Sequence, residues 1–384
     1  MSEIIRVAQI TGDVVKGGIE SVVYNYYKYI DKTKIQFDFI IHEDSPFEMP
    51  EEILGLGCKV FIVPRYSNPH KYINTLIDLF KRENYKIVHS HMSSLSVLTL
   101  MAAKRANVPV RISHCHGPGG KNVDEFFINI IRRTLSMLST VYPTHLFACS
   151  DYSAKWMFGN KAFKQGKITI INNAVDNKKF AFNGYVRQKT RAKLGLGDKF
   201  VVGHVGRFVP QKNHQFLLDI FASIYKKENN SVLILVGDGR LKNKIKEKVN
   251  ELNLQDNVLF LGGRSDVNKL YQAMDVFLMP SLYEGLPVVL VETQFARLNT
   301  IASIKVGEEA KFSDSIEFLQ LKEKPEVWAE QVLSKKGMRR GSCIFYDNAK
   351  CYMVENEVKK LEGMYMSMVR EEKINVVYDR MKLV

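Results

Sequence analysis

The chain alternates short apolar runs with stretches of helical spacing, a pattern that few folds accept. Ile4–Ile10, Phe37–Ile41, Val60–Val63, Ile87–His91, Val110–His114, Leu146–Cys149 and Ile168–Ile171 read as strands. Helical stretches separate them, which argues for a parallel, doubly wound α/β sheet. A polar segment rich in Lys and Arg, residues 177–198, interrupts the series. The pattern then resumes with Phe200–Val205, Val232–Val236, Val258–Gly262 and Val276–Met279. The expectation is two domains, 1–180 and 181–357, joined by a linker and hinge at the polar segment. At 384 residues, 46% of them hydrophobic and 25% charged, the chain can bury two cores.

Ligands of such sheets collect at the carboxyl ends of the strands. The richest of these ends is Pro280-Ser-Leu-Tyr-Glu284-Gly-Leu-Pro-Val-Val-Leu-Val-Glu292. It reads as a tight loop after the strand Val276–Met279, followed by a helix over residues 288–296. Gly285 lets backbone approach a ligand, and Pro287 stands where a first helical turn tolerates a missing N–H. The amides after it, backed by the helix dipole, form an anion site. Glu284 in the loop and Glu292 one turn inside the helix then flank the anion. A phosphate with hydroxylated groups on both sides, as in a nucleotide sugar, has that layout. Read alone, the stretch also fits a buried helix after an ordinary Glu-Gly turn.

A second end is Gly206-Arg207-Phe-Val-Pro-Gln-Lys212, where two cations sit in one loop after a strand. They can neutralise a diphosphate leaving group as its bond to a sugar breaks. Near the start, Gly17 and Gly18 stand between strand and helix and can offer amides to phosphate, although the spacing is not GxGxxG and gives no support to a nicotinamide cofactor. Two His-x-His pairs, His89/His91 and His114/His116, fall at two further strand ends. On a strand each pair supplies only two ligands, with no carboxylate or thiol partner evident, so no metal is expected. His89, His91 and His114 read as polar residues lining a crevice or capping a strand.

The formal charge of +14 and a pI near 9.3 point to an acidic partner: phosphorylated substrates, an anionic membrane face or nucleic acid. No aromatic-interleaved basic motif favours the last, so no nucleic acid partner is expected. The five cysteines include no CxxC pair, which argues against a disulfide frame or zinc knuckle. No apolar run is long enough to span a bilayer, and Met-Ser-Glu-Ile-Ile-Arg leads straight into a strand; a cytoplasmic protein is expected.

Glu, seven residues, Glu, with Gly-Leu-Pro after the first, resembles the signature of the retaining family-4 glycosyltransferases (glycosyl transferases group 1). Gly-Arg, four residues, Lys-Asn at 206–213 resembles their phosphate-clamping loop. Gly17-Gly18-Ile-Glu20 and Asn172-Asn-Ala-Val-Asp176 match two further elements. Together these cover nearly the whole chain and look most like the bacterial exopolysaccharide and capsule type. The resemblance implies the GT-B fold, two facing Rossmann-like domains with a deep cleft between them, the first completed by a C-terminal helix at about 358–384. It implies a metal-independent transfer from a nucleotide-diphosphate sugar, UDP favoured, to a glycan or lipid-linked glycan acceptor, with no cofactor. The chain contains no Asp-x-Asp, the usual metal clamp of single-domain transferases.

By the same resemblance Glu284 binds donor-sugar hydroxyls, Glu292 the ribose, and Arg207 and Lys212 the diphosphate. Gly17, Gly18, Gly285, Leu286, Pro287 and Val288 supply donor contacts from loops. Arg264 presents its backbone to the base, and His116, before Gly117, lies beside the sugar. A sugar-nucleotide epimerase and a catalytically impaired partner protein of the same fold are the rival readings.

Two positions depart from the pattern. Arg297 stands where a glycine usually closes the helix in a left-handed conformation, and Ile304 where an aspartate often follows the serine. Residues 119–142 read as a turn and a helix bearing Phe126, Phe127, Ile130, Ile131, Leu135 and Leu138 beside Arg132 and Arg133. That face is either core or a contact with anionic lipid, the partner surface that peripheral attachment to the inner face of the cell membrane would use. Residues 348–368 read as an amphipathic helical stretch.

Overall fold

The computed structural model describes residues 4–14, 17–46, 48–117, 135, 137–338, 340–341 and 343–381, without the side chains of 373–381. The chain forms two compact units, Met1–Ala174 with Val354–Val384, and Val175–Met353. Residues 175–180 and 354–357 thus fall on the other side of the boundaries expected from sequence. The turn of helix Asn177–Phe180 packs against the helix Val288–Phe295 of the second unit, while Glu357 accepts the Asn172 amide at 2.8 Å in the first.

In the first unit seven strands, β1 (Ile5–Gly12), β2 (Ile35–His42), β3 (Val60–Val63), β4 (Ile87–Ser90), β5 (Val110–Cys115), β6 (His145–Ala148) and β7 (Ile168–Ile170), pair in the order β3-β2-β1-β4-β5-β6-β7. Every pairing is parallel. The second unit repeats the plan with β8 (Phe200–Val205), β9 (Ser231–Val236), β10 (Val258–Gly262), β11 (Val276–Met279), β12 (Asn299–Ser303) and β13 (Ile316–Leu319) in the order β10-β9-β8-β11-β12-β13. Its strands are parallel throughout. Each sheet reverses its winding once, between β1 and β4 and between β8 and β11, and these switch points are where ligands of such sheets bind.

The core follows the pattern that made the strands legible. β2, β9 and β11 are buried at every residue, as strands covered on both faces must be. Loops at the β8 end pack backbone on backbone: a Cβ on Gly237, whose φ is +136°, would lie 2.1 Å from the Gly206 carbonyl oxygen. No other residue type fits there.

The C-terminal helix, Val354–Met381, belongs to the first unit. Lys360 Nζ donates to the Ile170 carbonyl at 2.6 Å, Lys34 pairs with Glu362 at 3.1 Å, and Tyr365 is wholly buried. The stretch before it, Asp347–Tyr352, is a separate 3-10 turn, so the helix starts six residues later than the sequence pattern placed it.

Segment 177–198 is not an open linker. Its polar residues form the helices Asn177–Phe180 and Gly184–Lys193. Arg187 donates to the carbonyls of Gln272 and Met274, both at 2.9 Å, Arg191 donates to that of Ala273 at 2.9 Å, and both arginines pair with Asp275. The cations are fixed by carbonyls exposed at the end of the helix Val267–Ala273, where such charges are favourable. The 119–142 helix reading falls mostly on residues outside those described. Of the remainder, Met137 and Val141 are exposed, and among the described residues no helix is long and apolar enough to cross a membrane.

Candidate functional site

At the switch point of the second sheet, the loop after β8 and the loop after β11 lie against each other. The Leu282 amide donates to the Gln211 carbonyl at 2.8 Å, and Asn213, in the left-handed region at φ +55°, donates its side chain to the Pro280 carbonyl at 3.2 Å. These contacts bring Glu284 to Gln211 and Lys212. Lys212 Nζ donates to Glu284 Oε1 at 2.7 Å, and Gln211 Nε2 donates to Oε2 and to the Tyr283 carbonyl, each at 3.0 Å. Glu284 is buried, and Lys212 places the opposite charge against it. Arg207, from the same loop as Lys212, is exposed.

Gly285, Leu286 and Pro287 are buried and lead into the helix Val288–Phe295, with Pro287 as its N-cap. No side chain caps this N-terminus and no acidic residue occupies its first turn. The amides at Val288 and Val289 therefore keep the anion-attracting character of a helix start. One turn on, Glu292 accepts a hydrogen bond from the Tyr271 hydroxyl at 2.8 Å. Burial pushes its carboxyl up to about 7, against the opposing pull of the Tyr271 hydroxyl and the Lys179 charge. Arg264 is exposed, with its guanidinium paired to Asp266 at 2.8 and 2.7 Å, so a role toward a base would fall to its backbone. Gln211 and Tyr271 were missed from the sequence: Gln211 stood in plain view beside Lys212, whereas nothing local ties Tyr271 to a carboxylate 21 residues on.

In the first unit Gly17 is the N-cap of the helix Gly18–Tyr29, again with no side-chain cap. His116 directly follows β5, but its ring is occupied: Nε2 meets His91 Nδ1 at 2.8 Å and Nδ1 meets Asn173 Oδ1 at 2.9 Å. The other three histidines do not line an open crevice as the sequence suggested. Their relative exposures are 1% for His89, 4% for His91 and 1% for His114. Tyr365 from the C-terminal helix and Val22, Val23 and Tyr26 from the first helix close over them, leaving a cavity of about 10 Å³. The parallel register of β4 and β5 sets the two pairs side by side, which counting each pair separately could not reveal. His89 Nε2 meets His114 Nδ1 at 3.1 Å, and His91 Nε2 donates to Gln9 Oε1 at 2.8 Å. Burial holds His89, His91 and His114 well below histidine's ordinary value and His116 at about 4; all four are neutral near pH 7.

Arg297 takes the left-handed conformation expected of the glycine it replaces, at φ +49°. Its guanidinium donates to the Gly341 carbonyl and lies 5.5 Å from the Phe345 ring centre. These contacts offset strain of about 1 kcal/mol.

Residues 16–179 match "Glycosyltransferase Family 4" and residues 186–331 match "Glycosyl transferases group 1". The Bacillus subtilis protein named as glycosyltransferase EpsF is 35% identical over 336 residues, 85% of this chain and 86% of that one. The Escherichia coli UDP-Gal:alpha-D-GlcNAc-diphosphoundecaprenol alpha-1,3-galactosyltransferase is 30% identical over 314 residues, covering 78% and 79% of the two chains. Among solved structures, Anabaena HepE in complex with UDP and glucose superposes with a TM-score of 0.71 over 97% of this chain and 100% of that one, at 17% identity. That likeness speaks for the fold, and the sequence matches for the family: the chain belongs to the group 1, family 4 glycosyltransferases and has the GT-B fold.

Proposed function

We propose that the protein transfers a hexose, with retention, from a nucleoside-diphosphate sugar to a hydroxyl of a lipid-linked glycan. The observation that carries the reading is the grip of Lys212 and Gln211 on both oxygens of Glu284, beside an uncapped helix start and the exposed Arg207. Glu284 receives hydroxyls of the donor sugar, Glu292 those of the ribose, and Arg207, Lys212 and the amides of Val288 and Val289 receive the diphosphate. The sugar–phosphate bond breaks as the bond to the acceptor oxygen forms on the same face. The acceptor proton passes to the departing diphosphate oxygen. Arg207, Lys212 and a helix start supply the charge stabilisation, so the transfer runs without a metal.

UDP is the favoured donor nucleotide and a polyprenyl-diphosphate glycan the favoured acceptor, in line with the names of the relatives above. The setting is exopolysaccharide or capsule assembly at the cytoplasmic membrane face, where the charge of +14 suits anionic lipid. The departures at Arg297 and Ile304 lie outside the residues that would hold the donor and do not favour an impaired partner protein.

Calorimetry with a panel of nucleotides and nucleotide sugars, with and without magnesium, tests the donor assignment. One nucleoside diphosphate should bind wild type without metal and bind Glu292→Ala more weakly; no binding by wild type refutes it. Product analysis with the bound donor and a short lipid-linked acceptor then separates transfer from epimerisation.

A further inference from the structure

The four histidines of the first unit are not explained by the transfer reaction, which needs at most His116. We propose that His89, His91 and His114 form a buried site for one divalent transition-metal ion of the zinc type. One ligating nitrogen from each lies within 4.8 Å of those of the other two. His89 Nε2 and His114 Nδ1, 3.1 Å apart, already approximate one edge of a tetrahedron with metal–nitrogen distances of about 2.0–2.1 Å.

Second-sphere partners stand where two of the three metal histidines need them. His91 donates its Nε2 proton to Gln9 Oε1, which leaves Nδ1 as the lone-pair nitrogen. His89 Nδ1 lies 2.6 Å from the Tyr365 hydroxyl, so its proton can reside there with Nε2 free for the ion. His114 uses Nδ1, and its Nε2 has no partner. Nitrogen donors without thiolate or carboxylate favour zinc, cobalt, nickel or copper over magnesium and calcium.

Entry of the ion requires a local rearrangement. His89 and His91 are stacked with ring centres 4.2 Å apart, so His91 turns toward the ion and gives up its hydrogen bond to His116. The fourth position is left to a water that enters with the ion. A second cluster, Asp13, His42 and Asp44, lacks this character because Arg65 lies 3.2 Å from Asp13 and 2.7 Å from Asp44. Its guanidinium already supplies the positive charge there. The histidine site joins β4 to β5 and, through Tyr365, to the C-terminal helix, so the ion acts as a clamp within the first unit. Glu284, Glu292, Arg207 and Lys212, to which the proposed function assigns the donor, lie in the second unit.

Untagged protein is stripped with a chelator, dialysed against Zn²⁺ or Co²⁺, and its metal content and visible spectrum measured. About one equivalent retained, an intense four-coordinate cobalt spectrum and a raised Tm are expected. His114→Gln and His91→Gln should each lose the metal and the spectrum, while His42→Gln keeps both. The proposal is overturned by wild type that retains no stoichiometric metal, by a cobalt spectrum no different from the aqua ion, or by unchanged binding in folded His114→Gln. If both histidine variants fail to fold, X-ray absorption of the wild-type cobalt protein decides. A first shell without imidazole nitrogen refutes the site whatever the variants do.

Discussion

Replacing Glu292 by glutamine should strengthen the fold while removing donor affinity, because burial already taxes the carboxylate. Its carboxyl sits at about 7, against an ordinary value of 4.5. The folded protein thus holds this proton more tightly than the unfolded chain does. Glu292 therefore favours the folded state increasingly as pH falls from 7 toward 4.5, and that benefit is lost as pH rises through 7. A displacement of this size corresponds to roughly 3 kcal/mol at pH 8. Glutamine preserves the shape and still accepts from Tyr271, so Glu292→Gln should gain about 1–3 kcal/mol at pH 8 and little at pH 5. Urea unfolding of both proteins at the two pH values measures this. Calorimetry in parallel should show wild-type affinity for the nucleoside diphosphate falling about tenfold per pH unit below 7, and a flat, weak response in the variant. A variant less stable than wild type at pH 8, or a stability difference that does not change with pH, refutes the reasoning.

Three further outcomes follow from the site and its surroundings. Tyr271→Phe removes the hydroxyl that favours the Glu292 carboxylate, so the acid limb of donor binding should move to higher pH; an unmoved limb in a pH titration refutes the pairing. Lys212→Ala leaves Glu284 buried without its cation and should cost about 3 kcal/mol by urea unfolding. Adding Glu284→Gln should recover most of that stability and none of the turnover, and failure to recover it refutes the pairing. At position 297, Ala retains the left-handed strain while Gly relieves it, and neither keeps the contacts to Gly341 and Phe345. Gly should be more stable than Ala by about 1 kcal/mol in urea unfolding, with both below wild type; Gly no better than Ala refutes the strain.

What was legible in the sequence was whatever depends on near neighbours. The strands could be read from short apolar runs, and the left-handed residue 297 from its place after a helix. The donor loops could be read because strand, glycine, charge and helix follow one another within a few residues. Long-range partners could not. Segment 177–198 looked like a solvated hinge because Asp275 and the carbonyls that fix Arg187 and Arg191 come more than 80 residues later. The histidines looked like crevice residues because Tyr365, which seals them, follows His89 by 276 positions.

The path of the chain bears on the order in which the protein can be made. The second unit, Val175–Met353, is an insertion between two parts of the first, and its ends meet in a parallel bridge between Val175 and Met353. It is therefore closed on itself before the last helix exists, and can fold during synthesis as an independent body. The first unit cannot. When residue 174 leaves the ribosome, Gln9, Phe37 and His89 still await Tyr365, which bonds to Gln9 at 3.2 Å and packs edge-on to Phe37 at 6.1 Å. The earlier half of the protein is thus the later to mature, and until the C-terminal helix arrives its histidine chamber stands open to solvent, at the one stage when a metal ion would have an unobstructed way in.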